Sequence, residues 1–429
     1  MSEPSPARPR LRASAGVMAA ATLGANVLVY GVFLVLARAL TPADLGAFSA
    51  LGNLLVIAGV PALALQLVTA RHVARTRSTP PADLPAAVGS ALRTGLVVGL
   101  GGTAVVLALA PVLSAVLDLP SGWLAVLLAL AVLPVYLAYA AQGCLQGRER
   151  FVALGAVLVA VAAGRLAAAV VGGGLGWGVG GVLGLTVLAS WLAAGLALVL
   201  VRDGLPAAWA RARPTWVGEV TRGTTATAAL LVVTNLDVPL ARALLQPDDA
   251  GRYAVLAVLA KAAYWGPAFL ATLLYPRMAT GSGRRAALAA MWATAGIGVA
   301  VVGGAALLSR PLVLVVGGER YAELAPLAPL FAAVGATWSV AQVLVYWRLS
   351  RGDHRMGLVV WTVAAVVVAV VGWRHGGITD VALPLLVGGL VVVAWGVTLL
   401  VRHGAARRPA REGPGVSAPR RARSGPPRR

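Results

Sequence analysis

A few ionisable side chains lie inside long apolar stretches, where water cannot solvate them. Arg93, Arg165, Asp237 and Lys261 are the clearest of these, and Asn235 lies two residues before the acid. Arginine presents a planar fork of donors that matches phosphate oxygens, whereas the ammonium of lysine is a point charge that can pair with a carboxylate. These residues are therefore candidates for binding an anion deep within the protein.

Asp237 and Lys261 fall at similar depths on consecutive antiparallel segments. At about 1.5 Å per residue they lie ~10 Å and ~15 Å below the outer helix ends. One interpretation is a buried structural ion pair, because charges within a membrane commonly pair with each other. The other is a pair in a cavity that a ligand or a coupling cation separates. Asp237 aligns with Phe33 in the internal repeat described below, which favours the second interpretation.

Arg93 and Arg165 have no acid within their own apolar stretches. Arg165 lies too deep to reach the membrane surface, whereas Arg93 lies about two turns from the cytoplasmic end of its segment and could extend to the interface instead. We expect both arginines, with Lys261, to be cations of a central cavity. Arg38 and Arg242 lie at outer helix ends, where capping of a helix is the expected role.

The composition identifies the elements that must position these charges. Hydrophobic residues make up 59% of the chain and charged residues 12%, about half the share of charge in a soluble domain. Apolar stretches of 18 or more residues recur, as in membrane helices. The net charge of +21 does not indicate nucleic-acid binding, because the arginines alternate with apolar stretches instead of forming one patch. The sequence predicts an all-α polytopic membrane protein.

Twelve spans are predicted, with both termini in the cytoplasm. Lysine and arginine favour cytoplasmic segments; with the N-terminus inside, such segments hold 27 of the 36 basic residues and outer segments hold five. The bias towards Arg, Ala and Gly is typical of a GC-rich bacterial genome, so the expected location is the bacterial cytoplasmic membrane. The predicted spans are residues 14–37, 45–69, 86–111, 122–142, 151–172, 176–201, 224–244, 251–275, 286–309, 323–347, 356–373 and 381–401.

These spans divide the chain into two six-helix lobes. The C-terminal tail is rich in Arg, Pro, Gly and Ser, so we expect it to be disordered and to contact anionic lipid. The predicted regions are a cytoplasmic N-terminal tail (1–13), an N-terminal lobe (14–201), a cytoplasmic linker (202–223), a C-terminal lobe (224–402) and the basic cytoplasmic tail (403–429).

The two lobes carry an internal repeat with an offset near 205 residues. Ala37–Leu40 recurs as Ala241–Leu244, and Pro42–Phe48 is matched by Pro247–Tyr253. Further matches at this offset are Pro61 with Pro267, Arg71 with Arg277, and Gly147–Arg150 with Gly352–Arg355. Because each half holds an even number of spans, an axis along the membrane normal should relate the halves, with the functional site between them near the midplane. We expect kinks at Pro61 and Pro267 to belong to the shared scaffold.

The repeated segments resemble a known family of exporters. ARALTPADLGAFSAL (residues 37–51) and GVPALALQLVTARHVA (59–74) belong to the first half, and residues 235–279 open the second. They resemble the polysaccharide-biosynthesis, or oligosaccharide-flippase, branch of the multidrug/oligosaccharidyl-lipid/polysaccharide (MOP) exporter superfamily. The resemblance implies twelve or fourteen helices in two six-helix lobes around a central cavity, and movement of lipid-linked sugars by alternating access.

The resemblance and the deep charges together predict a flippase for an oligosaccharide linked to an isoprenoid pyrophosphate. The alternative is a cation-coupled small-molecule antiporter of the multidrug type. An antiporter of cationic drugs should present an acidic, aromatic cavity, whereas this chain has one deep acid against three deep cations. The expected partners are the lipid-linked glycan, membrane lipids, and a glycan polymerase or glycosyltransferases.

Enzyme activity, a cofactor and a metal site are not expected. The loops are short, and the sequence has no Gly-x-x-x-x-Gly-Lys-Ser/Thr phosphate loop. Cys144 is the only cysteine, and the four histidines fall in loops or near helix ends, which excludes a cysteine-rich or histidine-rich metal site.

Overall fold

A computed structural model describes residues 7–76, 83–206, 216–222, 225–278, 283–351, 353 and 355–405. Parts of the predicted N-terminal tail, linker and C-terminal tail lie outside the described residues. All regular elements in the described ranges are helical. The α-helices are α1 (Ala7–Ala39), α2 (Pro42–Ala58), α3 (Val60–Thr76), α4 (Asp83–Val116), α5 (Trp123–Gly147), α6 (Phe151–Gly174), α7 (Gly178–Leu200), α8 (Val217–Arg222), α9 (Thr225–Val233), α10 (Asp237–Leu244), α11 (Pro247–Met278), α12 (Gly283–Leu307), α13 (Ser309–Gly317), α14 (Ala328–Leu349), α15 (Arg355–Trp373) and α16 (Ile378–Ala405). Two 3₁₀ segments cover Arg202–Gly204 and Glu319–Leu327.

The protein is an all-α polytopic membrane protein. Ten segments of the described chain are long and apolar enough to cross a membrane by length and composition. They include all six predicted spans of the N-terminal lobe and the last four of the C-terminal lobe. The two remaining predicted spans correspond to the pair α9–α10 and to α11, which is 32 residues long. Together with the ten segments, these two make about twelve transmembrane elements in two lobes.

Two predicted spans are each divided into two helices, and a third break follows the end of α12; each break lies just before a proline. The first break is at Gly59, before Pro61; the second is at residues 234–236, before Pro239; and the third is at Leu308, before Pro311. Proline has no amide hydrogen and restricts the residue before it, so it is tolerated in the first turn of a new helix and disrupts a continuing one. The expected match between Pro61 and Pro267 does not extend to a break, since α11 continues through Pro267.

Each lobe is a bundle of antiparallel helices. In the N-terminal lobe α1 packs against α6, α4 against α5, and α7 against both α5 and α6. In the C-terminal lobe α14 is central and packs against α11, α12 and α16. The surface on the outside of the helix bundles is apolar; the side chain of Val299 is 75% exposed and that of Leu307 is 86% exposed. Such a surface suits lipid and would be costly in water.

The lobes meet through α2 and α11, the first helices after the outer turn of each repeat. Gly46 and Gly251 are equivalent in the repeat, and here they touch: a Cβ atom on Gly46 would lie 2.9 Å from the amide nitrogen of Gly251. Two repeat-equivalent residues can be in contact only near the axis that relates the repeats. The pseudo-twofold axis therefore passes between Gly46 and Gly251.

Candidate functional site

A cluster of polar side chains joins the two lobes below the Gly46–Gly251 crossing. The ammonium of Lys261 on α11 donates hydrogen bonds to Oδ1 of Asn53 on α2 and, at 3.1 Å, to Oδ1 of Asn235 in the break between α9 and α10. Asn53 is 5% exposed and Asn235 8% exposed. The break leaves residues 234–236 outside regular helix, which gives the Asn235 side chain its approach to α11.

Asp237 contributes to this cluster from a greater distance. It is buried at the start of α10 and interacts electrostatically with Lys261 and with the hydroxyl of Tyr253. Within the described residues no ion pair of 4.0 Å or less joins Asp237 to Lys261; the direct partners of the ammonium are the two asparagines. Depth along the helices therefore predicts that the two charges are near each other, but it does not identify the groups that hold the lysine.

A second site lies inside the N-terminal lobe. A cavity of about 210 Å³ is lined by residues of α1, α2, α5, α6 and α7. Most of its lining is aliphatic. Five polar side chains line it, namely Asn26, Tyr139, Gln142, Arg165 and Ser190.

Arg165 carries the only formal charge among the described residues that line this cavity. Its Nε is buried and has no hydrogen-bond partner among those residues, and its electrostatic neighbour is Tyr139. No described carboxylate forms an ion pair with it. A guanidinium that has a buried Nε without a partner and lies among neutral polar side chains is suited to an incoming oxyanion, because charge-assisted bidentate bonds to phosphate or carboxylate are strong.

The predicted site residues thus separate into two groups, with one residue outside both. Asn235, Asp237 and Lys261 come together at the seam between the lobes, and Arg165 lies in the cavity of the N-terminal lobe. Arg93 is half-buried on α4 and does not line that cavity. Its assignment as a cavity cation stays a prediction.

Asn53, Tyr139 and Gln142 are not among the residues predicted from the sequence. Asn53 carries no formal charge, so the positions of the deep charges do not identify it. A usable signal was present, however. A buried amide in an otherwise apolar helix must find a partner, and an asparagine in a membrane helix commonly bonds across helices.

Arginines reach from one lobe to the other at the end of the seam that the sequence predicts to face outside, which is called the outer end below. Arg38, at the end of α1, donates from Nη2 to the carbonyl oxygens of Leu314 and Val315 at 3.2 and 2.8 Å. Arg242, at the end of α10, donates from Nε to the carbonyl oxygen of Leu117 at 2.8 Å and from Nη2 to that of Asp118. Helix carbonyls at a C-terminus lack intrahelical partners and attract cations.

These two arginines are equivalent in the repeat, and their contacts are reciprocal. Arg38 of the N-terminal lobe caps α13 of the C-terminal lobe, whereas Arg242 of the C-terminal lobe caps the end of α4 of the N-terminal lobe. We call this pair the outer clasp. Arg320 adds a bond to the carbonyl oxygen of Leu40 at 3.0 Å. The capping role expected for Arg38 and Arg242 is therefore present, but each caps a helix of the opposite lobe.

We expect Arg242→Ala to weaken closure of the outer end. The change leaves the terminal carbonyls of α4 without their charged donor, and a hydrogen bond to a charged group contributes about 1.5–3 kcal/mol. The balance between closed and open outer ends should shift roughly 10- to 150-fold. Spin labels on cysteines at the exposed positions Ser121 and His375, with Cys144 replaced by serine, would report the separation of the outer ends.

Arg310→Ala is the matched control, since Arg310 is an exposed outer arginine with no hydrogen bond across the seam among the described residues. An Arg242→Ala distance distribution that coincides with that of Arg310→Ala would refute a gating role for the clasp.

Comparison with known proteins separates fold from sequence. No protein-family model matches the chain, and no curated protein matches it in sequence. Several solved structures nevertheless match its fold. An inward-facing multidrug-resistance MATE family transporter of the MOP superfamily superposes with a TM-score of 0.69 at 13% identity, covering 89% of this chain and 96% of that one. The chain has the fold of a MOP-superfamily transporter.

Two further solved structures share this fold. The lipid II flippase MurJ in an inward closed conformation gives a TM-score of 0.69 at 10% identity, covering 90% of this chain and 87% of that one. An outward-facing MATE transporter gives 0.51 at 14% identity, with 92% and 94% covered. The two structures in inward conformations give the higher TM-score.

Proposed function

We propose that this chain is a flippase that moves an oligosaccharide linked to an isoprenoid pyrophosphate across the cytoplasmic membrane by alternating access. One observation carries the proposal: Arg165 lines a cavity whose described lining contains no carboxylate, and its buried Nε has no hydrogen-bond partner among the described residues. A cationic drug would be repelled from such a cavity, whereas a pyrophosphate supplies the missing counter-charge. The same fold occurs in a lipid II flippase.

The geometry of the lobes supports alternating access. The two lobes are related by a pseudo-twofold axis, and the cross-lobe hydrogen bonds lie at the outer end and at the level of Lys261. An inward-facing state therefore needs a small number of bonds to be exchanged before the outer end can open. Transport in this scheme requires no enzyme chemistry and no cofactor.

The alternative candidate is a cation-coupled multidrug antiporter. It is favoured by Asp237, a buried acid at the lobe interface, and by the MATE transporters that share the fold. Lys261 and the Tyr253 hydroxyl already act on this acid, so a coupling cation would have to compete with a tethered ammonium. That competition makes the antiporter the second choice.

The flippase proposal is tested in cells that depend on this chain for their surface glycan. Depleting the protein should cause the lipid-linked precursor to accumulate on the cytoplasmic leaflet, and re-expression should clear it. Unchanged precursor levels, together with a new sensitivity to cationic dyes, would support the antiporter instead.

The proposed orientation places both termini in the cytoplasm, as the distribution of arginines predicts. Alkaline phosphatase fused after Asp118, Asp249 or Asp380 should be active. Green fluorescent protein fused after Arg77, Arg213 or Arg285 should fluoresce. Reversal at any one of these six positions would break the proposed alternation.

A further inference from the structure

We propose that Lys261 is an anion-responsive tether between the lobes: an oxyanion entering from the inner side displaces Asn53 from the lysine ammonium and so frees the N-terminal lobe. This inference rests on the proposed function and names the group that couples cargo binding to movement.

The position of the tether at the seam is the first argument. Among the side-chain hydrogen bonds that join the lobes in the described residues, those of Arg38, Arg242 and Arg320 are at the outer helix ends. The bond from Lys261 to Asn53 lies deeper, about 17 Å along α2 and about 21 Å along α11 from their outer ends. A group arriving from the inner side would therefore meet this polar connection before it meets the others.

The two asparagine oxygens are held in place to receive the ammonium. The Asn53 amide nitrogen donates to the carbonyl oxygen of Ser49 at 2.7 Å, and that of Asn235 donates to the carbonyl oxygen of Leu231 at 2.8 Å. With each nitrogen committed to its own chain segment, each oxygen is directed at Lys261. The lysine is therefore held by neutral acceptors that were oriented before it arrived.

Neutral acceptors make the bond exchangeable. A charged oxyanion forms a stronger hydrogen bond with an ammonium than an amide oxygen does. Arrival of a pyrophosphate at Lys261 should therefore displace an asparagine oxygen, and an ammonium has three donors to redistribute.

The exchange should release the N-terminal lobe selectively. Asn235, Asp237 and Lys261 all belong to the C-terminal lobe, whereas Asn53 alone belongs to the N-terminal lobe. When Asn53 is displaced, Lys261 keeps Asn235 and the nearby carboxylate and stays in place. The lobes then lose their deepest polar link, and the outer clasp is what remains to be opened.

The test measures how far apart the inner ends are when an anion is added. Cysteines at the exposed positions Ala74 and Arg285, with Cys144 replaced by serine, carry spin labels in purified full-length protein in lipid nanodiscs. Inorganic pyrophosphate, or an isoprenyl pyrophosphate incorporated into the disc, should shift the distance distribution of the parent protein toward a closed inner end. A response to the isoprenyl form alone would assign the anion to a lipid headgroup.

Two variants at Asn53 make opposite predictions. Asn53→Ala should shift the distribution without any anion and reduce the response to pyrophosphate at least fivefold. Asn53→Asp keeps the shape and adds a charge that holds the ammonium, so it should keep the inner end open and raise the pyrophosphate concentration needed for a response at least tenfold. Gln342→Ala, which removes a buried amide within the C-terminal lobe, is the control and should behave as the parent.

Two results would refute the tether. In the first, pyrophosphate shifts the distance distributions of the Asn53→Ala and Asn53→Asp proteins as it shifts that of the parent. In the second, pyrophosphate shifts none of the three distributions, although the parent still translocates lipid-linked glycan. In the second case the flippase proposal would stand. A tether that responds normally in a protein that moves no lipid-linked glycan would instead count against the proposed cargo.

Discussion

Replacing Gly251 by alanine is expected to prevent the outer ends of the lobes from closing. A Cβ atom at this position would lie 1.8 Å from the carbonyl oxygen of Pro42, which belongs to the opposite lobe. Backbone cannot rotate away as a flexible side chain can, so α2 and α11 must move apart. Overpacking of this kind costs about 1–3 kcal/mol, and we expect the inward-facing population to fall roughly 5- to 150-fold.

The chain offers a matched control for this change on the same helix. Gly266 also lies on α11, but a Cβ atom there would meet nothing within 4 Å. Both substitutions give the helix the same gain in propensity, so their difference isolates the contact between the lobes. The spin labels at Ser121 and His375 would measure the separation of the outer ends in each variant. Precursor accumulation would report the consequence for transport. If Gly251→Ala closes and transports as Gly266→Ala does, then the contact between α2 and α11 does not control closure of the outer ends.

The second large effect is expected at Arg165. Arg165→Ala removes the guanidinium from the cavity of the N-terminal lobe, and we expect transport to fall roughly 10- to 150-fold, since a hydrogen bond to a charged group is worth about 1.5–3 kcal/mol. Arg165→Lys keeps the charge and loses the planar, bidentate geometry, so the loss should be smaller, about fivefold. The measurement is the amount of lipid-linked precursor on the cytoplasmic leaflet at equal membrane abundance.

Arg374→Ala controls for the loss of any arginine, because Arg374 is exposed just beyond α15, far along the chain from the cavity lining. Full translocation by Arg165→Ala would show that this arginine does not bind the cargo. The phosphate site would then have to be built from Lys261 and Arg93.

Much of the fold follows from the sequence because two signals are strong. Apolar stretches of membrane length occur where the structure has long helices, and the offset between the repeats places Gly46 against Gly251 on the axis. The divisions within two spans and the break after α12 were not predicted. The prolines that cause them were visible, but a proline in a membrane span can either kink a helix or begin a new one, and only the neighbouring backbone decides between these outcomes.

The candidate site was predicted by its charges and not by its partners. Depth along a span placed Lys261 near Asp237, but depth contains no information on the rotation of each helix about its axis. That rotation brings Asn53 and Asn235 to the ammonium and leaves Asp237 farther away. Likewise, the position of Arg242 at a helix end predicted capping, but the capped helix α4 belongs to the other lobe and lies more than 120 residues away in the chain.

Reconstitution tests the central claim most directly. The purified chain is placed in sealed vesicles that contain an isoprenoid-pyrophosphate-linked oligosaccharide in both leaflets, and an impermeant glycosidase is added outside. Active protein should expose nearly all of the glycan to the enzyme, protein-free vesicles should expose about half, and Arg165→Ala should resemble the protein-free vesicles. Half of the glycan remaining protected in the presence of the intact chain, with ion-coupled export of a cationic dye from the same vesicles, would contradict the flippase and establish the antiporter.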